Sequence, residues 1–239
     1  MRPRRENDGC MDVMRMLKRH LPHRLLLELR QRRYAYQIRR NTFKSPEKEF
    51  GLLASLIQRG DNVIDIGANV GHYTVLMSKL VGNAGIVFAF EPVPTTFGMQ
   101  THNVVAAKAN NVTLLNLAVT SQCGTLRFDI PDENPYLAHI SQSGDLILWG
   151  APLDTIVAPS LPVSFMKVDA EGHDTTVIES ARRIIEEHRP ILMAELRGHE
   201  AEETVATLRD YVVRWLAGSH NSFFVPIERC GQVAEAFPE

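Results

Sequence analysis

Gly60-Asp61-Asn62-Val63-Ile64-Asp65-Ile66-Gly67-Ala68-Asn69-Val70-Gly71-His72-Tyr73-Thr74 is the stretch from which the rest of this 239-residue chain is read. The β-branched run at 63–66 predicts a strand, and the amphipathic stretch 71–81 predicts the helix that follows it. Glycine at 67 lets the chain turn tightly after the strand, and Gly71 lets the helix pack close to it. A ligand can then approach the backbone with no Cβ in the way. A dinucleotide fingerprint would need glycines at 67, 69 and 72. Asn69 and His72 stand there instead, which disfavours NAD and FAD. No G-x-x-x-x-G-K-[ST] phosphate loop occurs either.

Outward from this loop, short apolar runs alternate with helix-length amphipathic segments. Strands are expected at 86–90, 112–117, 163–168, 191–196 and 223–227, and helices at 94–109, 175–188 and 200–217. Ser45-Pro46-Glu47-Lys48 resembles a helix start with proline at the first position, leading to a helix through about Arg59. Continuous apolar strands separated by helices predict an α/β fold, a doubly wound and mostly parallel sheet covered on both faces. Between 119 and 160 the texture changes. Short strands at 125–130 and 146–148 lie among Gly, Pro, Ser and Asn, as in a hairpin-like insertion beside the substrate. In open α/β sheets ligands bind beyond the carboxyl ends of the strands, near the topological switch point, so the strand ends are the places to read for chemistry.

A D-x-G-x-x-x-G loop suits a zwitterionic ligand. The Asp65 carboxylate can attract an ammonium group, directly or through water, while loop amides face a carboxylate. The second strand runs into Phe90-Glu91-Pro92, and an acid at that position can accept both hydroxyls of a ribose. Each feature alone is weak, because a glycine loop can be only a turn and Glu91 only a helix N-terminal charge. The ordered constellation of strand, loop, helix, strand and acid is much more specific.

The chain is 44% hydrophobic and its net charge of −2 does not suggest a nucleic-acid binder. The charge is unevenly spread. Residues 1–48 hold fourteen Lys/Arg against five Asp/Glu, a balance of +9, and the remainder balances at −11. Apolar residues at helical spacing through 11–41, interrupted by Pro22, predict two basic amphipathic helices in an arm covering residues 1–44. Such an arm could cover the active site, form a homodimer or rest peripherally on an anionic membrane. A solvated outer face is the plainer alternative. Cys10, Cys123 and Cys230 form no CxxC pair, which predicts reduced thiols and no zinc knuckle. With no apolar run near the ~20 residues that span a bilayer and no signal-peptide core, a cytoplasmic location is expected.

The segment 60–74 resembles the opening motif of FkbM-type methyltransferases. So does Val87-Phe88-Ala89-Phe90-Glu91-Pro92. Asn111-Val112-Thr113-Leu114 with Ala118-Val119 is similar to the family's third strand, and Leu153-Asp154-Thr155-Ile156 to its short Leu-Asp element. Met166-Lys167-Val168-Asp169-Ala170-Glu171-Gly172 looks like the K-[IV]-D-x-E-G signature, and Pro190-Ile191-Leu192 with Glu195 matches the strand after it. The resemblance covers about residues 50–200, leaving the basic arm outside it. It implies a seven-stranded Rossmann-like sheet within 45–239 and transfer of a methyl group from S-adenosylmethionine, most often to a hydroxyl of a small molecule or sugar. It also implies that Asp65, Gly67, Asn69 and Gly71 form the methionine side of the site and that Glu91 binds ribose. Adenine would lie against Pro92, near Leu117 and Ala118.

Methyl transfer to an alcohol is an in-line displacement, so the protein must align the nucleophile and take its proton. Glu171 or a neighbouring histidine, His173 above all, is expected as general base. Asp169 is expected to hold the methionine amine or the substrate. Asp169, Glu171 and Glu195 could alternatively hold magnesium, since hard cations take oxygen ligands. His72 and His199 also fall near strand ends, and Tyr34, Tyr136, His139 and Trp149 are aromatic candidates for substrate walls. Rival readings are a nucleotide-sugar or NAD-linked enzyme, an N- or C-methyltransferase, and a catalytically silent cofactor-binding interaction module.

Overall fold

The computed structural model describes residues 47–130 and 138–237, together with Leu29, Arg32, Arg33, Tyr36, Gln37 and Ser45. The chain divides into two compact units, Met1–Phe43 and Lys44–Glu239. In the first, all five described residues are helical and four of them are exposed. Pro22, Tyr34 and the expected membrane or dimer contacts of the arm lie outside the described residues, as does Tyr136.

The second unit begins with helix α1 (Lys48–Leu56), followed by β1 (Asn62–Ile66), α2 (His72–Val81), β2 (Ile86–Phe90), α3 (Pro94–Ala106) and β3 (Val112–Leu115). A smaller sheet then intervenes, from β4 (Ala118–Val119), β5 (Gly124–Asp129), β6 (His139–Ile140) and β7 (Leu146–Ala151). The main alternation resumes with α4 (Leu153–Ile156), β8 (Phe165–Val168), α5 (Asp174–Glu179), α6 (Arg182–His188), β9 (Ile191–Ala194), α7 (Gly198–Thr207), β10 (Tyr211–Trp215) and β11 (Ser222–Pro226). The main sheet has seven strands in the order β10-β11-β9-β8-β1-β2-β3. β11 alone runs opposite to the other six strands, antiparallel to both β10 and β9. This is the expected α/β, doubly wound, Rossmann-like fold. From β1 the chain builds outward through β2 to β3, then returns to β8 on the other side of β1. The carboxyl ends of β1 and β8 therefore flank the switch point.

Alternation along each strand sends successive side chains to opposite faces. Ile64, Ile66, Met166 and Leu192 pack with Val177 of α5 and Ile184 of α6. Val63, Phe165, Ile191 and Met193 pack on the other face with Leu53 of α1 and Met77 of α2. Each such side chain contributes about 1.5–3 kcal/mol by leaving water. Asp65 and Lys167 occupy this second face too, side by side in the β1–β8 register. Two opposite charges thus sit where an apolar pair is the ordinary choice.

Several expected elements divide in the structure. The strand foreseen at 112–117 stops at Leu115, and Ala118–Val119 joins the second sheet, parallel to β7. The helix foreseen at 175–188 breaks between Glu179 and Arg182, because Asp154 reaches in from α4 and accepts from the amides of Arg183 (2.7 Å) and Ile184 (3.1 Å). The helix foreseen at 200–217 ends at Thr207. A left-handed Asp210 turns the chain, and Tyr-Val-Val-Arg-Trp continues as edge strand β10. Helix α1 starts at Lys48 with Glu47 at its cap, and Pro46, expected at its first position, lies outside the described residues. Among the described residues no helix is long and apolar enough to cross a membrane.

Candidate functional site

The site is built where the turns after β1, β2 and β8 meet the inner face of the small sheet. Gly67 has φ +68°, and a Cβ on it would stand 1.7 Å from the carbonyl oxygen of Asp169. The turns after β1 and β8 therefore touch backbone to backbone, which only glycine permits. Their contact is reinforced by the Asp169 amide, which donates to the Ile66 carbonyl at 3.2 Å. Asn69 is also left-handed (φ +50°), a conformation asparagine tolerates better than most residues. Gly71 (φ +88°) starts α2.

Glu91 follows β2 and turns back toward this loop. Its carboxylate accepts from the Asn69 amide (3.0 Å) and the Val93 amide (2.9 Å). Only 6% of the residue is exposed. Burial pushes its carboxyl up to about 7, although the two amide bonds pull the other way. Asn116 clamps the same turn by donating to the carbonyls of Glu91 (2.8 Å) and Pro92 (2.9 Å).

These turns enclose a cleft of about 670 Å³, counting its open mouth. One wall is apolar, from Phe90, Pro92, Leu117 and Ala118. A second comes from the small sheet, with Phe128 and Ile140. Asp169, Glu171 and His173 line the cleft as well. Of the residues singled out in the sequence, Gly67, Asn69, Glu91, Pro92, Ala118, Asp169, Glu171 and His173 all line this cleft. Asp65 and Gly71 do not. Asp65 lies a layer deeper, fully buried, where it accepts from the Thr74 hydroxyl at 2.6 Å.

Glu171 is a left-handed, non-glycine residue (φ +49°) at the turn after β8. Its carboxyl is held above the usual carboxylate range, first by burial and then by the charges of Asp169, Glu195 and Asp174. Burial lowers the His173 imidazole, partly opposed by Asp174. The His173 Nε2 lies 3.2 Å from the hydroxyl of Thr120, just after β4, a contact that joins the start of α5 to the small sheet. Among the described residues no group of three or more His, Cys, Asp or Glu side chains is arranged to hold a metal ion. Asp169, Glu171 and Glu195 therefore do not converge as the magnesium cluster considered from sequence, and Glu195 lies outside the cleft lining. His72 opens α2 away from the cleft, with burial lowering it to about 4. His199 is exposed and pairs with Glu203 at 3.3 Å. Trp149 faces outward from the small sheet, 56% exposed.

Three residues that tie the site together escape sequence reasoning. Thr120 has no local signal, because its partner is 53 positions away. Asp174 reads as a helix-start acid, yet its carboxylate accepts from the amides of Ala170 (3.4 Å) and Glu195 (3.3 Å) and ties the turns after β8 and β9 together. Lys167 could have been found as the one charge inside an otherwise apolar strand.

The methyltransferase FkbM domain model matches residues 65–231. Over 134 residues the chain is 29% identical to the hexuronic acid methyltransferase AglP of Haloferax volcanii, covering 54% of this chain and 53% of that protein. Over 62 residues it is 34% identical to the protein-L-isoaspartate O-methyltransferase of Ignicoccus hospitalis, covering 26% of this chain and 29% of that one. The chain thus spans about half or less of the curated relatives it matches. Its fold is similar to the crystal structure of the methyltransferase FkbM from Methylobacillus flagellatus KT, with a TM-score of 0.53, 16% identity, and 72% of this chain and 47% of that chain covered.

Proposed function

Because this chain belongs to the FkbM methyltransferase domain family, we propose that its cleft binds S-adenosylmethionine and directs the methyl group to a hydroxyl of a small molecule or sugar. The observation that carries this reading is Glu91, a buried carboxylate at the cleft wall beside the apolar surface of Phe90, Pro92 and Leu117. A carboxylate with two acceptor oxygens next to an apolar slot suits the vicinal hydroxyls and flat base of a nucleoside. Asp169 then faces the amino-acid end of the ligand, in place of the more deeply buried Asp65.

When bound, S-adenosylmethionine supplies a methyl carbon already activated by its sulfonium. The chain's own task is to hold the acceptor oxygen in line and remove its proton. Glu171 is the assigned base. It lines the cleft, and a carboxyl held above its usual range is the stronger proton acceptor. A second reading, with His173 as base, is favoured by its contact with Thr120, which fixes the ring while burial keeps it neutral. The hexuronic acid methyltransferase among the relatives makes uronic acids and their glycosides the first acceptors to try.

The test is incubation with methyl-labelled S-adenosylmethionine and a panel of sugars, hexuronic acids and simple alcohols. Label should appear on an acceptor oxygen, and S-adenosylhomocysteine should bind. Glu171→Gln should lower turnover by about a hundredfold or more while leaving S-adenosylhomocysteine affinity within twofold. Full turnover in Glu171→Gln with loss in His173→Ala would move the base to His173. Label on nitrogen or carbon, or no binding of S-adenosylhomocysteine, would overturn the reading.

A further inference from the structure

Lys167 has no place in the chemistry described so far, yet it is among the most constrained side chains in the molecule. It stands on β8 in register with Asp65 of β1, and both side chains are almost wholly out of water. Its ammonium donates to the Asp169 carboxylate at 2.9 Å, lies 3.9 Å from the Asp65 carboxylate and 3.5 Å from the Gly67 carbonyl, and sits 5.1 Å over the Tyr73 ring. One ammonium thus touches both turns that form the floor of the cleft.

The three charges have unequal freedom. Asp65 has one oxygen committed to Thr74, and its other oxygen has no hydrogen-bond partner, so Lys167 is the cation that answers it. Asp169 is different, because its side chain is 35% exposed and lines the cleft while one oxygen is held from below. A buried ammonium is costly unless it is paired, and here it is paired twice. Burial disfavours the charge, but Asp169 and Asp65 together outweigh it and hold Lys167 above its ordinary value. Burial raises the Asp65 carboxyl, and the Lys167 ammonium is the first influence that opposes this, while Asp169 is the member of the triad that is open to the cleft.

We propose that Lys167 is a positioning residue for the amino-acid end of the cofactor: anchored from below by Asp65, it aims the Asp169 carboxylate at the ligand's α-ammonium group. Asp65 then acts on the ligand only through Lys167. The inference rests on the cofactor reading above, and it assigns the loop's first acid a role as anchor for a lysine instead of direct ligand contact.

The two ligands that test it are S-adenosylhomocysteine, which has the amino-acid end, and 5′-methylthioadenosine, which lacks it. Calorimetric titration should show Lys167→Met weakening S-adenosylhomocysteine by tenfold or more, while methylthioadenosine stays within twofold of wild type. Asp65→Asn should weaken S-adenosylhomocysteine by about threefold to tenfold. The double variant should bind no more weakly than Lys167→Met, because Asp65 has no second route to the ligand. The double variant also leaves no lone buried charge, so it keeps the comparison available if Lys167→Met does not fold. Equal weakening of both ligands, or fully additive losses in the double variant, would overturn the inference. Wild-type protein that binds neither ligand would instead sink the cofactor reading, and the positioning role with it.

Discussion

Glu91 carries a titration that can be read out in two ways. Its carboxyl is held at about 7 in the folded chain, mainly by burial, above its ordinary value of 4.5. A carboxyl raised on folding favours the protonated native state. Its contribution is therefore fully present below about pH 4.5 and is lost as pH rises through about 7, an effect of up to about 3 kcal/mol. Ligand binding has the opposite sign, since ribose hydroxyls donate to the ionised form. S-adenosylhomocysteine affinity should rise about tenfold between pH 6 and pH 8, and Glu91→Gln should flatten that profile in titrations across the range. Gly67 gives a second test at this scale. Gly67→Ala places a methyl 1.7 Å from the Asp169 carbonyl oxygen on a left-handed backbone. It should cost about 3 kcal/mol or more in urea unfolding, and a smaller loss would mean that the two turns can separate. Both residues are legible from sequence as a turn glycine and a strand-end acid. The carbonyl that makes glycine obligatory is not, because it lies 102 positions further along the chain.

At the scale of elements, the break between α5 and α6 shows how a motif can be seen and its work missed. Leu153-Asp154 is recognisable in the sequence, but its carboxylate is spent on the first amides of α6. Those amides have no intrahelical partners, so an outside acceptor satisfies them. Asp154→Ala should destabilise the chain by about 1–2 kcal/mol in denaturant unfolding, with S-adenosylhomocysteine affinity unchanged because Asp154 is outside the cleft lining. Strand β10 illustrates the opposite error. Residues 200–217 scan as one amphipathic helix, yet Tyr211–Trp215 gains more by pairing along the edge of β11. Local periodicity cannot weigh that pairing, since it depends on where the sheet ends.

For the whole molecule, the cleft exists because two sheets share a connection. The chain leaves β3, runs through β4 into the small sheet, and returns to β8 beside β1. Gly150 sits at this junction. A Cβ there would meet the side chains of Leu126 and Thr120 at 2.7 and 2.8 Å and the Ala118 carbonyl at 3.3 Å. Gly150→Val should push β4 off β7, displacing Ala118 and the Thr120 contact with His173. S-adenosylhomocysteine affinity and turnover should then fall together, measured by titration and labelled transfer. Unchanged values for both would show that the small sheet does not shape the site. By itself, the sequence determined the parallel α/β architecture, the loop glycines and the strand-end acids, since these follow from local periodicity, backbone sterics and short spacing. Only the tertiary structure decided that Asp65 is buried beside Lys167 and outside the cleft lining, that Thr120 meets His173, and that the acids after β8 and β9 do not gather as a metal cluster. Those outcomes depend on strand order and register, which bring together side chains that lie 50 to 100 positions apart in the chain.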